Sequence, residues 1–235
     1  MIVFIGMETS GACRRAFQAQ GHETYSCDLL PSQDGGEEMA YSHDGLPLGR
    51  HLVGDIFLSL ENLIATDLRP DLAIFHPDCT YLTNSAAWAF GDGPYHQKVK
   101  PETLVGAARR DARDEAIRTV ERIWALPIRR KCIENPIGAL STRWRKPTQI
   151  IHPNQFGDDA SKATCLWLDG LLPLVPTKPV APRIVNGRPR WANQTDNGQN
   201  RLPPSDDRWQ RRADTYPGIA DAMASQWAGR LAVAA

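Results

Sequence analysis

The sequence predicts an α/β chain, a Rossmann-like and mainly parallel sheet with helices on both faces, plus a small irregular lobe. Residues 2–6 are an apolar run rich in β-branched side chains, the composition of a buried parallel strand. Residues 10–20 follow as a helix, with Ser10 as its cap and Gly21 as its stop signal. Residues 24–28 return as a second strand that ends on Asp28. This strand–turn–helix–strand–acid unit opens nucleotide-binding α/β sheets.

The remaining elements follow in order. Residues 33–44 are polar and Gly-rich, hence loop, while 52–56 read as a short edge strand and 58–65 as a helix. Residues 71–75 give the clearest strand, apolar after Asp71. It runs into His76-Pro77-Asp78-Cys79, and proline lacks the donor that a central strand needs. Cys79 therefore falls just past a strand's carboxyl end, where open α/β sheets hold their ligands. Residues 91–100 read as a mobile loop. From 102 to 125, Val105, Ala108, Ala112, Ala116, Val120 and Trp124 recur at helical spacing. Residues 131–133 form a strand that closes on Glu134-Asn135-Pro136. Beyond Pro136 the chain is proline-rich and irregular, with one strand at 163–168 and a polar loop at 194–200. An amphipathic helix at 219–233 follows Pro217-Gly218. The expected division is an α/β domain over 1–140, a loop-rich lobe over 141–215, and a C-terminal helix in 216–235 that packs back on the domain.

A chain of 235 residues can bury one substantial core, and 42% hydrophobic with 23% charged residues is ordinary for a folded globular protein. Its longest apolar runs are far short of a membrane span, so no membrane partner is expected. No secretory pattern opens the sequence, which makes the cytoplasm the expected location. The five cysteines (13, 27, 79, 132, 165) form no CxxC pair, which argues against a disulfide framework and a zinc site. A net charge of zero removes the simplest argument for nucleic-acid binding. Lys98, Lys100, Arg109, Arg110 and Arg113 nevertheless cluster, and a neutral protein can present one basic face to phosphates. Solvated helix faces explain such clusters equally well.

Cys79 and Glu134, each at the end of a strand and beside a nucleotide-binding turn, suit one difficult reaction. C5 of cytosine is not nucleophilic until a thiolate adds to C6 and N3 is protonated. That chemistry needs a nucleophilic cysteine, an acid within reach of the ring and a donor close by.

In these motifs the chain resembles the cytosine-C5 methyltransferases, above all the short bacteriophage and bacterial forms. The resemblance runs from about residue 2 to residue 170, with a weaker echo in the C-terminal helix. Pro77-Asp78-Cys79 is similar to the Pro-Pro-Cys nucleophile motif, and Glu134-Asn135-Pro136 to the Glu-Asn-x motif of the ring-activating acid. About 55 residues separate the two. Glu8-Thr9-Ser10-Gly11 stands where the family has its cofactor loop. Asp28 matches the acid that binds the cofactor ribose, and Gly54-Asp55-Ile56 resembles the turn at the adenine. Arg143 and Arg145 stand in for the arginine pair that holds cytosine O2 and a flanking phosphate. Phe156-Gly157 and the segment Lys162 to Leu168 are similar to the short phage-type proteins. The resemblance implies a class I methyltransferase fold and S-adenosylmethionine, or a close derivative, as donor. Its implied partner is DNA with the target cytosine flipped out of the stack. Residues 98–113 would then meet phosphates and the loop at 91–100 would close over the site.

Two departures bear on this expectation. Asp78 replaces the second proline, placing a carboxylate beside the thiol; it should raise the thiol pKa and call for an offsetting positive charge. Thr9 replaces the usual aromatic of the cofactor loop. Only about 45 residues lie between Gly170 and the final helix, which leaves little room for target recognition. A free pyrimidine nucleotide as substrate, or a transferred group larger than methyl, stays open, as does a DNA-binding relative without catalysis. His76 reads as a structural residue below the site, since no partner for a metal site follows. Trp167 and Trp227 read as core, and Trp88 as either a base-stacking residue or a packed loop anchor.

Overall fold

The computed structural model describes residues 1–35, 50–96, 98–205 and 208–228. Most of the polar loop expected at 33–44, and the end of the final helix past residue 228, lie outside them. In chain order the elements begin β1 (Ile2–Gly6), α1 (Ala12–Ala19), β2 (Glu23–Asp28), β3 (His51–Val53), α2 (Ile56–Ala65) and β4 (Leu72–Phe75). They continue with α3 (Gly106–Ala125), β5 (Lys131–Pro136), α4 (Leu140–Arg143), β6 (Gln149–Ile151) and β7 (Thr164–Asp169). A β8–β9 hairpin (Arg183–Val185, Arg188–Arg190) and helices α5 (Arg208–Ala213) and α6 (Pro217–Trp227) complete the series.

The principal sheet has seven strands in the order β3-β2-β1-β4-β5-β7-β6. The first five run parallel, and β7 is antiparallel to both β5 and β6. Side chains alternate along β1: Val3 and Ile5 join α1 and α6 in one core, while Phe4 joins α2 and α3 in the other. Helices therefore cover both faces, which is why β1 and β4 are apolar throughout rather than alternating. Trp167 and Trp227 are fully buried core residues, as expected. Among the described residues no helix is long and apolar enough to cross a membrane.

Strand order reverses between β1 and β4. Crevices at such a switch point, outside the carboxyl ends of the strands, are where α/β sheets bind ligands. The turns after β1 and β4 both open there.

Three expectations are corrected. Ser10 is not the cap of α1: Gly11 occupies that position in a left-handed conformation (φ 66°). The first helical N–H groups go instead to side chains, Ala12 N to Ser10 Oγ (3.2 Å) and Cys13 N to Glu8 Oε1 (2.8 Å). A side chain at Gly11 would also collide with the carboxylate of Asp34. Second, Glu134 lies inside β5 and not beyond it. The parallel ladder with β4 stops at Ile133, whereas the antiparallel ladder with β7 continues through Glu134 and Asn135 to Pro136. Third, β6 and β7 belong to the principal sheet, although they fall within the lobe expected at 141–215. β6 escaped notice because it is only three residues long.

Candidate active site

The cysteine turn begins where Pro77 interrupts β4. Asp78 Oδ1 accepts from Thr80 N (2.9 Å) and Thr80 Oγ1 (2.7 Å), and the Cys79 carbonyl accepts from Leu82 N (3.1 Å) and Thr83 N (2.9 Å). These bonds coil the chain tightly enough to bury Leu82 completely and leave Cys79 half-buried. The turn is then fastened to the chain that follows β5. Asn135 Nδ2 donates to Pro77 O (2.7 Å), and Ala139 N donates to Leu82 O (2.7 Å). Gly138 lies so close to Leu82 that a Cβ would overlap its carbonyl oxygen, so glycine is required there.

Glu134 sits across from this turn, and His76 Nδ1 lies 3.2 Å from its Oε2. The two side chains are only 10% and 13% exposed. His76 is thus the direct partner of the acid, not a spacer below the site. Burial opposes ionisation of Glu134, but the hydrogen bond from His76 and the charges of His76 and Lys162 outweigh it. The carboxyl is held below its ordinary pKa. The thiol of Cys79 moves the other way. Burial raises its pKa, Asp78 and Glu134 add to the rise, and Lys162 opposes it. The Lys162 ammonium donates to Arg212 O (2.9 Å) and Asp214 O (3.4 Å) and lies 5.9 Å from the Tyr216 ring. It is the cation that offsets the negative neighbours of the thiol.

The turn after β1, where the resemblance implies a cofactor, is shaped by bonds to its own neighbours. Thr9 Oγ1 accepts from Gln33 Nε2 (2.6 Å), and Ser10 Oγ donates to Glu8 Oε1 (3.1 Å). Glu8 is buried, and its Oε2 accepts no hydrogen bond among the described residues. Asp28, at the end of β2, accepts from Leu30 N (3.0 Å), and burial raises its pKa. Asp55 caps α2, accepting from Phe57 N (2.9 Å) and Leu58 N (3.1 Å). Ile56 points into the core, so only its backbone could face a ligand. Glu8, buried just past β1, and Asp28, half-buried at the end of β2, are acceptors near the carboxyl ends of these strands, and their chemistry fits a cationic ligand carrying hydroxyls. A cavity of about 670 Å³ opens beside this turn, lined among others by Ser10, Arg15, Asn193, Arg201 and Tyr216. Cys79 is not part of its wall.

The remaining expected site residues are placed differently. Asp78 is exposed and engaged in its turn with Thr80. Arg145 stacks between Trp124 (4.6 Å) and Trp144 (4.6 Å). Lys131, at the start of β5, lies over the same Trp124 ring, so Arg145 is drawn away from the end that carries Glu134. Arg143 lies 4.0 Å from Asp114 and lines a second cavity of about 210 Å³ with Tyr81, Thr83, Phe90 and Arg113. Arg109 is buried, donating to Thr80 O (3.2 Å) and Leu104 O (3.3 Å), and so is no surface contact for phosphate. Trp88 is half-buried, with its ring 5.6 Å from those of Tyr95 and His96. Among the described residues, no group of His, Cys, Asp and Glu is placed to hold a metal ion.

No family model matches this chain, and no curated protein matches it.

The arrangement can nonetheless be read chemically. A thiol whose ionisation Lys162 favours, against the burial that raises its pKa, lies near a carboxyl backed by an imidazole, at the carboxyl ends of neighbouring strands. Such a pair can add a nucleophile to a ring and manage the proton that the addition demands. Lys162, His76, Asn135 and Glu8 are the participants that residue patterns alone did not reveal as functional. Asn135 and Glu8 lay within recognised motifs, but only the three-dimensional contacts show what they hold.

Proposed function

We propose that the protein alkylates C5 of cytosine in DNA through a covalent Cys79 adduct, with S-adenosylmethionine or a close derivative as donor. The observation that carries this reading is the pairing of the half-buried Cys79 turn with Glu134, tied together through Asn135 and Pro77 at the sheet's carboxyl edge. The Rossmann-like fold and its crevice at the switch point support it.

In this mechanism Cys79 adds to C6 as a thiolate: the Sγ–C6 bond forms, the C5–C6 double bond opens, and N3 takes a proton from Glu134. C5 then has enamine character. The donor, when bound, supplies the electrophilic one-carbon group. Loss of the C5 proton to water afterwards re-forms the C5–C6 double bond and expels Sγ as the thiolate, and N3 returns its proton to Glu134. Lys162 stabilises the thiolate against Asp78 and Glu134. Glu8 and Asp28 would hold the donor, with Thr9, Ser10 and Gly11 shaping its approach and Asp55 and Ile56 bordering it. In a duplex the base must leave the stack to reach the half-buried thiol.

Mass spectrometry of nucleosides from the DNA of cells expressing the protein tests this directly. A C5-modified cytidine that is absent with Cys79→Ala is the expected result. Unmodified DNA together with turnover of a free pyrimidine nucleotide in vitro would move the reading to the nucleotide level.

A further inference from the structure

Glu134 presents a difficulty of its own. The reaction asks it for a proton, yet its surroundings favour the carboxylate. What lies behind it answers this. His76 bonds Glu134 through Nδ1 (3.2 Å), and its other nitrogen, Nε2, lies 3.7 Å from the Sγ of the fully buried Cys13. The imidazole is held in line by its backbone, His76 N donating to Gly6 O (2.9 Å).

A thiol is an unusual neighbour for this nitrogen, and a useful one. Burial, followed by the charges of Glu8 and Glu134, raises the Cys13 pKa well above normal, so the group stays S–H. A thiol can donate or accept. Imidazolium donates through Nδ1 to Glu134 and through Nε2 to Sγ. The neutral ring left once Nδ1 has given up its proton keeps Nε2–H, so its bond to Cys13 survives the change of charge.

Resting on the proposed cytosine reaction, we propose that His76 is a positioning residue that stores the proton Glu134 delivers, with Cys13 as the acceptor that holds its Nε2–H. The imidazolium–carboxylate pair enters with one proton to give. As Sγ bonds to C6, the proton on His76 Nδ1 moves through the Glu134 carboxylate to N3, leaving neutral imidazole with its remaining proton on Nε2. When the adduct collapses, the N3 proton returns along the same path, so nothing is consumed. The charged and titratable groups around the pair are Cys13 and Glu8 from the α1 side, Cys79 and Asp78 from the cysteine turn, Cys132 from β5, and Lys162 and Cys165 around β7.

The test is solvent exchange of the cytosine C5 hydrogen in an oligonucleotide. This step needs C6 addition and N3 protonation but no group transfer. His76→Gln keeps a donor for Glu134 but cannot store a proton. Exchange at neutral pH is expected to fall about 10²-fold, within the range for a positioned proton donor. The alkaline limb of its pH profile should move to lower pH, because only the carboxyl of Glu134 is left to hold the proton. Cys13→Ser, which also donates and accepts, is expected to lose less than Cys13→Ala. A His76→Gln enzyme with the rate and alkaline limb of the parent would overturn the proposal and leave His76 as a simple hydrogen bond. A parent protein that neither exchanges nor alkylates cytosine would remove the underlying reading, and the stored proton with it.

Discussion

The amide of Asn135 donates a 2.7 Å hydrogen bond to the carbonyl of Pro77, joining the strand that carries Glu134 to the turn that carries Cys79. Asn135 is almost wholly buried, so the bond is sheltered from water. Removing it leaves a buried carbonyl unpaired, at a cost of about 1–3 kcal/mol. Asn135→Ala is expected to lower stability by that amount in urea unfolding and to reduce turnover by more than tenfold. A stability loss with turnover intact would show that the tie does not set the thiol's position.

Glu134→Gln keeps the shape of the side chain but removes the acid. A rate loss of roughly 10²–10⁴-fold is expected, with substrate affinity preserved. Equal losses of affinity and rate would instead identify Glu134 as a strand-borne structural residue.

The pH dependence of the thiol follows from its surroundings. A raised pKa means that Cys79 is mostly neutral near pH 7, and its thiolate fraction grows as pH rises through that pKa. Alkylation by iodoacetamide should therefore accelerate with pH beyond the ordinary thiol range. Asp78→Asn removes a negative neighbour and should shift the curve to lower pH, whereas Lys162→Met should shift it higher. Curves that superimpose for all three proteins would exclude these charges as controls of the nucleophile. The buried Cys13, Cys27, Cys132 and Cys165 make Cys79 the accessible thiol to follow.

Arginines in the basic stretch separate into two kinds. Arg110, paired with Asp92 (2.9 Å), and the exposed Lys98 and Lys100 can meet phosphates. Neutralising these three should flatten the salt dependence of DNA binding, because fewer counterions are released. Arg109→Ala should act on stability, since that guanidinium holds two backbone carbonyls and stacks on Phe90 (4.8 Å). Salt-independent binding by the parent protein would point away from a polynucleotide.

Much of the fold was legible because burial on both faces leaves a strong local mark. β1, β4 and β7 are largely apolar runs, and α3 repeats its apolar positions over several turns. β6 was not legible, since three residues carry no periodicity. Pro136 suggested that the strand had ended. It is tolerated because β5 has no β4 neighbour beyond Ile133 and behaves there as an edge. In the site, Cys79 and Glu134 lay in readable motifs. Lys162 and His76 did not announce their roles, because each acts across the sheet on residues distant in sequence. Arg145 looked available until two tryptophan rings claimed it.

The unequal ladders of β5 also divide labour between the two halves of the site. Glu134 is gripped along its backbone by β7, so the acid is a fixed jaw. Cys79 rides on a turn outside the sheet, held by a few discrete bonds. In the proposed reaction, whatever travel is needed to bring sulfur onto a ring carbon and release it again would fall to that second jaw. Adjusting the reach of the site to a bulkier ligand is then a matter of retuning the bonds of one turn, with the sheet left untouched.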